Sequence, residues 1–296
     1  MRRRRRPSTL LAAAVAVAAG TALHAVVIGP RRTVVRRVDL RLPRWPADLD
    51  GLTVALVGDL HAGVPHVDVA RVRDVAGRIA RRRPDVVLCA GDLMDDHAHG
   101  ALRLDPHAVA AALAGAGAPR LAVLGNHDRI FGAEQVAAAL RSADFALLED
   151  DARRLTVRGR ALWIAGAADA ASAEPRPGRA LRDVPLSEPV LLLTHSPDVF
   201  PAVPERVALT LAGHTHGGQV AAPGPVRARI IPSRFGTRYD RGHVVEGARH
   251  LFVTSGVGTS GWPVRLGIAP EVVLLRLRST RTGRPRRLSA RRAAGR

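Results

Sequence analysis

The sequence predicts an α/β domain, and three observations carry that prediction. Short Val- and Leu-rich runs without helical periodicity, at residues 52–57, 85–90, 121–124, 190–194 and 207–211, read as buried strands. Amphipathic stretches separate the first three runs. Each run also ends in a polar cluster, and parallel sheets bind their ligands beyond the carboxyl ends of the strands.

The elements follow in order. After the run at 52–57, Val69, Val72, Ala76 and Ile79 fall on one face of a helix that ends in Arg81-Arg82-Arg83-Pro84, where proline forbids continuation. The run at 85–90 contains Cys89, the single cysteine of the chain, so one chain can form neither a disulfide nor a cysteine-based metal site. Cys89 reads as a small core residue. Val136, Ala139 and Leu140 repeat the helical spacing after residues 121–124, and residues 272–277 form the last apparent strand. Strand and helix in alternation imply parallel pairing through crossovers.

The polar clusters are Asp59-Leu60-His61, Gly91-Asp92, Gly125-Asn126-His127-Asp128, a lone His195, and Gly213-His214-Thr215-His216-Gly217-Gly218-Gln219. Any one of them is weak, since Asp-x-His and Gly-Asp arise by chance in most chains of this length. As an ordered set they offer carboxylate, imidazole and amide oxygen without thiolate, a donor set suited to Mn, Fe or Zn. Two cations about 3.5 to 4 Å apart need a bridging anion, and a carboxylate can give one oxygen to each. Asp92 is the candidate. Such a pair lowers the pKa of a shared water, orients a phosphoryl group and screens the charge that develops in attack.

The ordered set resembles the calcineurin-like metallophosphoesterase superfamily, whose pattern D-x-H, G-D, G-N-H-[DE], H, G-H-x-H is filled at every position between Thr53 and Gln219. The resemblance implies an α/β/β/α sandwich, two packed mixed β-sheets flanked by helices. It implies two divalent metal ions, one held by Asp59, His61, Asp92 and His216, the other by Asp92, Asn126, His195 and His214. His127 would bind no metal but face the scissile phosphate, as acid to the leaving group or stabiliser of the transition state. Asp95, three residues after Asp92, would orient that imidazole. The implied reaction is phosphoester hydrolysis by a metal-activated hydroxide.

Gly217-Gly218-Gln219, the run from Thr254 to Ser260, Pro263 to Gly267 and Pro270-Glu271 are similar to membrane-anchored bacterial envelope phosphodiesterases. That second resemblance implies a phosphodiester or pyrophosphate of the envelope as substrate, with lipid-linked esters among the candidates. A soluble-nucleotide phosphodiesterase and a metal-dependent binding protein without turnover are the alternatives. Residues 256–261 spell G-x-G-x-x-G, yet Trp262-Pro263 follows and no helix opens there, so a tight loop at the site rim is expected rather than a dinucleotide fold. His66, His97, His99, His107, His243 and His250 are expected in loops or on the surface, with His97 and His99 nearest the cleft.

The 296 residues, 47% hydrophobic, suffice for one substantial core. The formal charge of +19 lies in the termini: residues 1–44 hold 11 Arg and one Asp, residues 276–296 hold nine Arg and no acid, and the remainder balances. A nucleic-acid groove would place its basic residues on the folded body, so no nucleic-acid partner is expected. All 45 basic residues are Arg, which reads as codon bias. Residues 7–30 carry no Asp, Glu, Lys or Arg, and a bilayer needs about 20 apolar residues. No small-residue cleavage site stands clear of this run, which favours an uncleaved signal anchor over a cleavable signal peptide. The arginines at 2–6 tip the expected topology towards an extracytoplasmic catalytic domain, single-pass in the cell membrane. The expected organisation is an anchor at 1–30, a basic linker and first strand at 31–50, the catalytic domain at 51–278 and a disordered basic tail at 279–296, in a monomer.

Overall fold

The computed structural model describes residues 9–96, 102–168 and 176–280. Helix α1 (Thr9–Leu23) continues through a π-helical turn at His24–Ile28 and a 3₁₀ turn at Gly29–Arg31. Then come β1 (Val34–Leu42), β2 (Leu52–Val57), α2 (Val69–Ala80), β3 (Val86–Cys89), α3 (Pro106–Ala114), β4 (Arg120–Ala122), α4 (Asn126–Ser142) and β5 (Ala146–Leu147). The second half holds β6 (Asp151–Val157), β7 (Arg160–Ala167), the short α5 (Pro177–Ala180), β8 (Val190–Thr194), β9 (Leu209–Ala212), α6 (Gly224–Ile230), β10 (Gly242–Glu246), β11 (Arg249–Val253) and β12 (Glu271–Ser279).

Local chemistry sets the helix ends. The Asp68 carboxylate caps α2 by accepting from the Arg71 amide at 2.7 Å, and Val72, Val75, Ala76 and Ile79 bury the face that the sequence predicts. Asp105 caps α3 ahead of Pro106, whose fixed φ suits the first turn. The Ala-rich α3 has little contrast between its faces, which is why periodicity does not reveal it.

Two six-stranded mixed sheets result, in the orders β1-β12-β2-β3-β4-β5 and β10-β11-β9-β8-β7-β6. In the first, β2, β3, β4 and β5 run parallel and β12 is antiparallel to β2; in the second, β11, β9, β8 and β7 run parallel. Successive side chains of a strand point to opposite faces, and here both faces are covered. Val54 and Leu56 pack between the sheets with Leu191, Leu193, Leu209 and Leu211, while Ala55 and Val57 pack under α2, α3 and α4. The outer face of the second sheet is covered by Leu181, Phe200 and Tyr239. The α/β/β/α layering expected from the resemblance is therefore present.

Two details bear on the expected organisation, in which a first strand lies within residues 31–50. Strand β1 pairs in parallel with β12 from Val34 opposite Glu271 to Leu42 opposite Ser279, and Leu40 and Leu42 are buried. The sheet thus begins well before residue 51 and ends past residue 278, where the Ser279 amide donates to Asp50 at 2.8 Å. Of the histidines expected in loops or on the surface, His66 lies in a buried turn, His107 and His243 are exposed, His250 is buried in β11, and His97 and His99 lie outside the described residues.

Removal of residues 1–31 should leave a folded domain, whereas removal of residues 1–44 strips β1 from β12 and deletes buried Leu40 and Leu42. Loss of two such side chains costs about 4 kcal/mol or more, roughly a 10 °C fall in Tm. Thermal denaturation of the two truncations checks this. His66 gives a second expectation. It is 8% exposed, its Nε2 has no hydrogen-bond partner among the described residues, and burial, then the charges of Arg31, Arg265 and Arg71, push its pKa from 6.5 down to about 4. The unfolded chain takes up this proton below its ordinary pKa of 6.5 and the folded chain only near 4, so stability is full above that range and falls as pH drops from 6.5 to 4. The loss amounts to about 3 kcal/mol. In urea titrations across that range, His66→Gln should show a shallower acid slope than the parent.

Candidate metal centre

The carboxyl ends of β2, β3 and β4 in one sheet and of β8 and β9 in the other open on the same edge, and the polar clusters meet there. Asp59 and His61 follow β2, Asp92 follows β3, Asn126 and His127 begin α4 just after β4, His195 follows β8, and His214 and His216 follow β9. Asp59, His61, Asp92, His195 and His216 are buried; Asn126, His127 and His214 are partly exposed and form the mouth.

Two donor sets converge. In one, single ligand atoms of Asp59, His61 and His216 lie within 4.8 Å of one another; in the other, those of Asp92, His195 and His214 do so. Asn126 Oδ1 stands 3.0 Å from His195 Nε2, which joins it to the second set. Asp92 belongs to both, since its Oδ2 lies 3.4 Å from His61 Nε2 and 3.2 Å from His195 Nε2. Its other oxygen accepts from the His127 amide at 2.9 Å. A single Asp92 oxygen thus faces both sets.

The residues fit a pair of cations. His195 Nδ1 lies 2.7 Å from the Ala90 carbonyl, so it donates there and Nε2 faces the centre. Around Nε2 stand Asn126 Oδ1 and His214 Nδ1, both at 3.0 Å, and Asp92 Oδ2 at 3.2 Å. Asp59 Oδ1 accepts from the His214 amide at 2.8 Å, while its Oδ2 is buried without a hydrogen-bond partner. Acceptors aimed at one another in a buried space need positive charge between them.

Backbone strain is concentrated at this edge. Among the described residues eleven other than glycine have positive φ, and Asp59, His61, Asp92, His214 and His216 are five of them. Such conformations cost about 1 to 3 kcal/mol each and persist where the surroundings enforce them. Gly256, at φ 67°, packs so close that a Cβ there would stand 2.5 Å from Asp59 Cβ. The G-x-G-x-x-G run is therefore a loop pressed against the donor cluster, as its sequence context implies.

Electrostatics follow from burial opposed by pairing. Burial pushes the Asp59 carboxyl up to about 6. For Asp92 the same penalty is outweighed by His195 and His61, which hold it well below the usual carboxylate range. Burial also disfavours the His61 cation, yet Asp92, Asp95 and Asp59 raise it to about 9. Burial, then the neighbouring His61 and Arg265, hold His216 well below its ordinary value.

Asp95 requires a correction. Its Oδ1 stands 3.5 Å from His61 Nδ1, so it backs a donor of the first set, and the carboxylate 3.2 Å from His127 Nδ1 belongs to Asp96. On its other side His127 Nε2 is 3.3 Å from Ser260 Oγ. Sequence reasoning assigned no role to two further residues. Asp128 is buried and accepts from the amides of Gly125 and Met94, both at 3.0 Å, which ties the loops after β3 and β4 together. Arg265 is 1% exposed; it donates to the carbonyls of Ser255 and Gly258 and reaches within 3.3 Å of His216 Nδ1. Burial lowers its pKa to about 10, and it stays charged. Asp128 was within reach of sequence reasoning, as the residue after His127 in a dense polar motif; Arg265 was not, for its partners are backbone carbonyls.

Residues 52–218 match the family described as calcineurin-like phosphoesterase. The chain belongs to that family. It is 33% identical over 229 residues to an uncharacterized metallophosphoesterase of Aquifex aeolicus, an alignment covering 74% of this chain and 82% of the relative. It is 31% identical over 237 residues to phosphodiesterase YaeI of Escherichia coli, covering 76% and 81%. It is also similar to a zebrafish (Danio rerio) transmembrane protein with metallophosphoesterase domain, 28% identical over 276 residues and covering 88% of this chain and 60% of that one.

Because one Asp92 oxygen faces both donor sets, Asp92→Asn should weaken both. Elemental analysis should find two metal equivalents in the parent and fewer than one in the variant, with an unchanged far-ultraviolet circular dichroism spectrum.

Proposed function

We propose that the chain is a membrane-anchored, dinuclear metal-dependent phosphodiesterase that hydrolyses a phosphodiester or pyrophosphate of the cell envelope. The observation that carries the reading is Asp92 Oδ2 between two converging donor sets, a geometry suited to two cations sharing one anion. In this reading Asp59, His61, Asp92 and His216 hold one ion and Asp92, Asn126, His195 and His214 the other. Mn, Fe and Zn all suit these donors. When bound, such a pair lowers the pKa of a shared water and neutralises charge on the phosphoryl oxygens.

The rest of the chemistry belongs to the protein. The Ala90 carbonyl fixes the His195 ring through Nδ1 and Asp95 Oδ1 faces His61 Nδ1 at 3.5 Å, so each imidazole presents Nε2 to the centre. His127 stands at the partly exposed mouth, held through its amide by Asp92 and flanked by Asp96 and Ser260. In this reading its Nε2 gives a proton to the departing oxygen. The anchor supports an envelope substrate: residues Leu11–Arg31 form one helical run of 21 residues, about 31 Å at 1.5 Å per residue, against a hydrocarbon core of about 30 Å. A cluster of arginines before the run and a catalytic domain outside the cytoplasm complete this reading.

Purified protein should hydrolyse bis(p-nitrophenyl) phosphate with added Mn and lose that activity in chelator; no turnover with Mn, Fe or Zn would sink the reading. His127→Ala should keep its metal and lose roughly 10²- to 10⁴-fold in rate. The loss should shrink as the leaving group improves, measured across a series of aryl esters.

A further inference from the structure

A cleft of about 390 Å³ opens beside the donor cluster. Buried Thr215 and His216 lie at its floor, and Ile230, Pro232 and Trp262 at its exposed rim. The rim is apolar and open to solvent: Trp262 is 73% exposed and Ile230 45%. Val226, one turn before Ile230 on α6, is 49% exposed, and α6 buries none of its residues. Exposed apolar side chains grouped around a concave site mark a surface that meets something apolar.

The chain itself indicates what that is. Val264 lines the cleft, and the next residue, Arg265, donates its amide to the Ala25 carbonyl at 2.9 Å. Ala25 lies within the apolar span that ends at Arg31. Six residues at 1.5 Å put this contact about 9 Å below the end of the span, within the 5 to 10 Å to which interfacial elements sink into a membrane. The packing is close enough that Gly29 leaves no room for a Cβ against the Arg265 carbonyl. The cleft wall is thus tied to the membrane span rather than merely near it. Trp262 then sits where indoles favour the water–lipid boundary, and exposed Arg229 of α6 suits anionic headgroups.

We infer that this cleft takes the hydrocarbon chain of a bilayer-resident phosphoester, whose phosphate then lies at the donor cluster on the cleft floor. The inference names the substrate class of the site proposed above and rests on that reading and on the anchor. An amphiphile enters from the membrane plane with its tail against Ile230, Val264 and Trp262 and its headgroup towards His216. A wholly water-soluble ester would leave the apolar rim unused.

The test uses full-length protein in nanodiscs of a neutral phospholipid, with p-nitrophenyl alkyl phosphodiesters from methyl to octyl. Burial of each methylene contributes enough that kcat/KM should rise at least 100-fold along the series. Ile230→Asp and Trp262→Ala should each flatten that rise by tenfold or more, with metal content unchanged. A chain-length dependence that is absent, or that survives both substitutions, overturns the inference. A second measurement needs no turnover: a brominated dodecyl phosphate should quench the fluorescence of Trp262, identified by comparison with Trp262→Phe, and Ile230→Asp should weaken the quenching. If no ester is hydrolysed, the phosphodiesterase reading falls and this measurement alone decides, quenching supporting an alkyl phosphate site and its absence overturning it.

Discussion

One carboxylate oxygen, Asp92 Oδ2, is the point around which the rest of this protein is arranged. It is buried, it faces His61 on one side and His195 on the other, and its partner oxygen is held by the His127 amide. A buried anion is costly unless paired, and His61, His195 and the His127 amide stand against it. The scaffold must hold it there. Asp92 lies beyond the carboxyl end of β3, next to β2 and β4 in the same sheet, and the opposing sheet brings His195, His214 and His216 to the same edge. Neither sheet alone completes either donor set.

Holding five such residues in left-handed backbone requires support from outside the motif. Asp128 ties the loop after β3 to the start of α4, and Arg265 gathers the carbonyls of the 255–258 loop while standing behind His216. The Arg265 guanidinium has no carboxylate partner in salt-bridge range among the described residues. Its Nε and Nη2 donate to carbonyl oxygens instead, which lets a buried cation act as a brace between loops. Through its own amide the same residue meets Ala25, so the brace of the donor cluster is also a contact between the α/β domain and the apolar N-terminal helix.

Much of this was legible in advance, for a definite reason. Each donor follows an apolar strand, so hydrophobic patterning located the strands and the polar residue that broke each pattern marked the site. Strands β2 and β8 fall where the Val and Leu runs place them, while the apolar run after β4 extends two residues past its strand. The elements that patterning showed poorly have weaker contrast: α3 is rich in alanine, and β1, expected only as a first strand within a basic linker, carries three arginines among its nine residues while pairing fully with β12. An edge strand with one solvated face looks like a charged linker until its partner is known.

The sequence by itself determined the donor chemistry, the order of the donors along the chain and the membrane-length apolar segment, because residue type and spacing are local properties. Tertiary structure decided which atom of Asp92 faces both sets, that Asp96 rather than Asp95 stands beside His127, and that Arg265 joins the site to the apolar N-terminal helix. Those choices depend on where two separately wound sheets close against each other. A shift of a few ångströms across that interface exchanges one hydrogen-bond partner for another, and no property of a neighbouring pair such as Asp95-Asp96 encodes it.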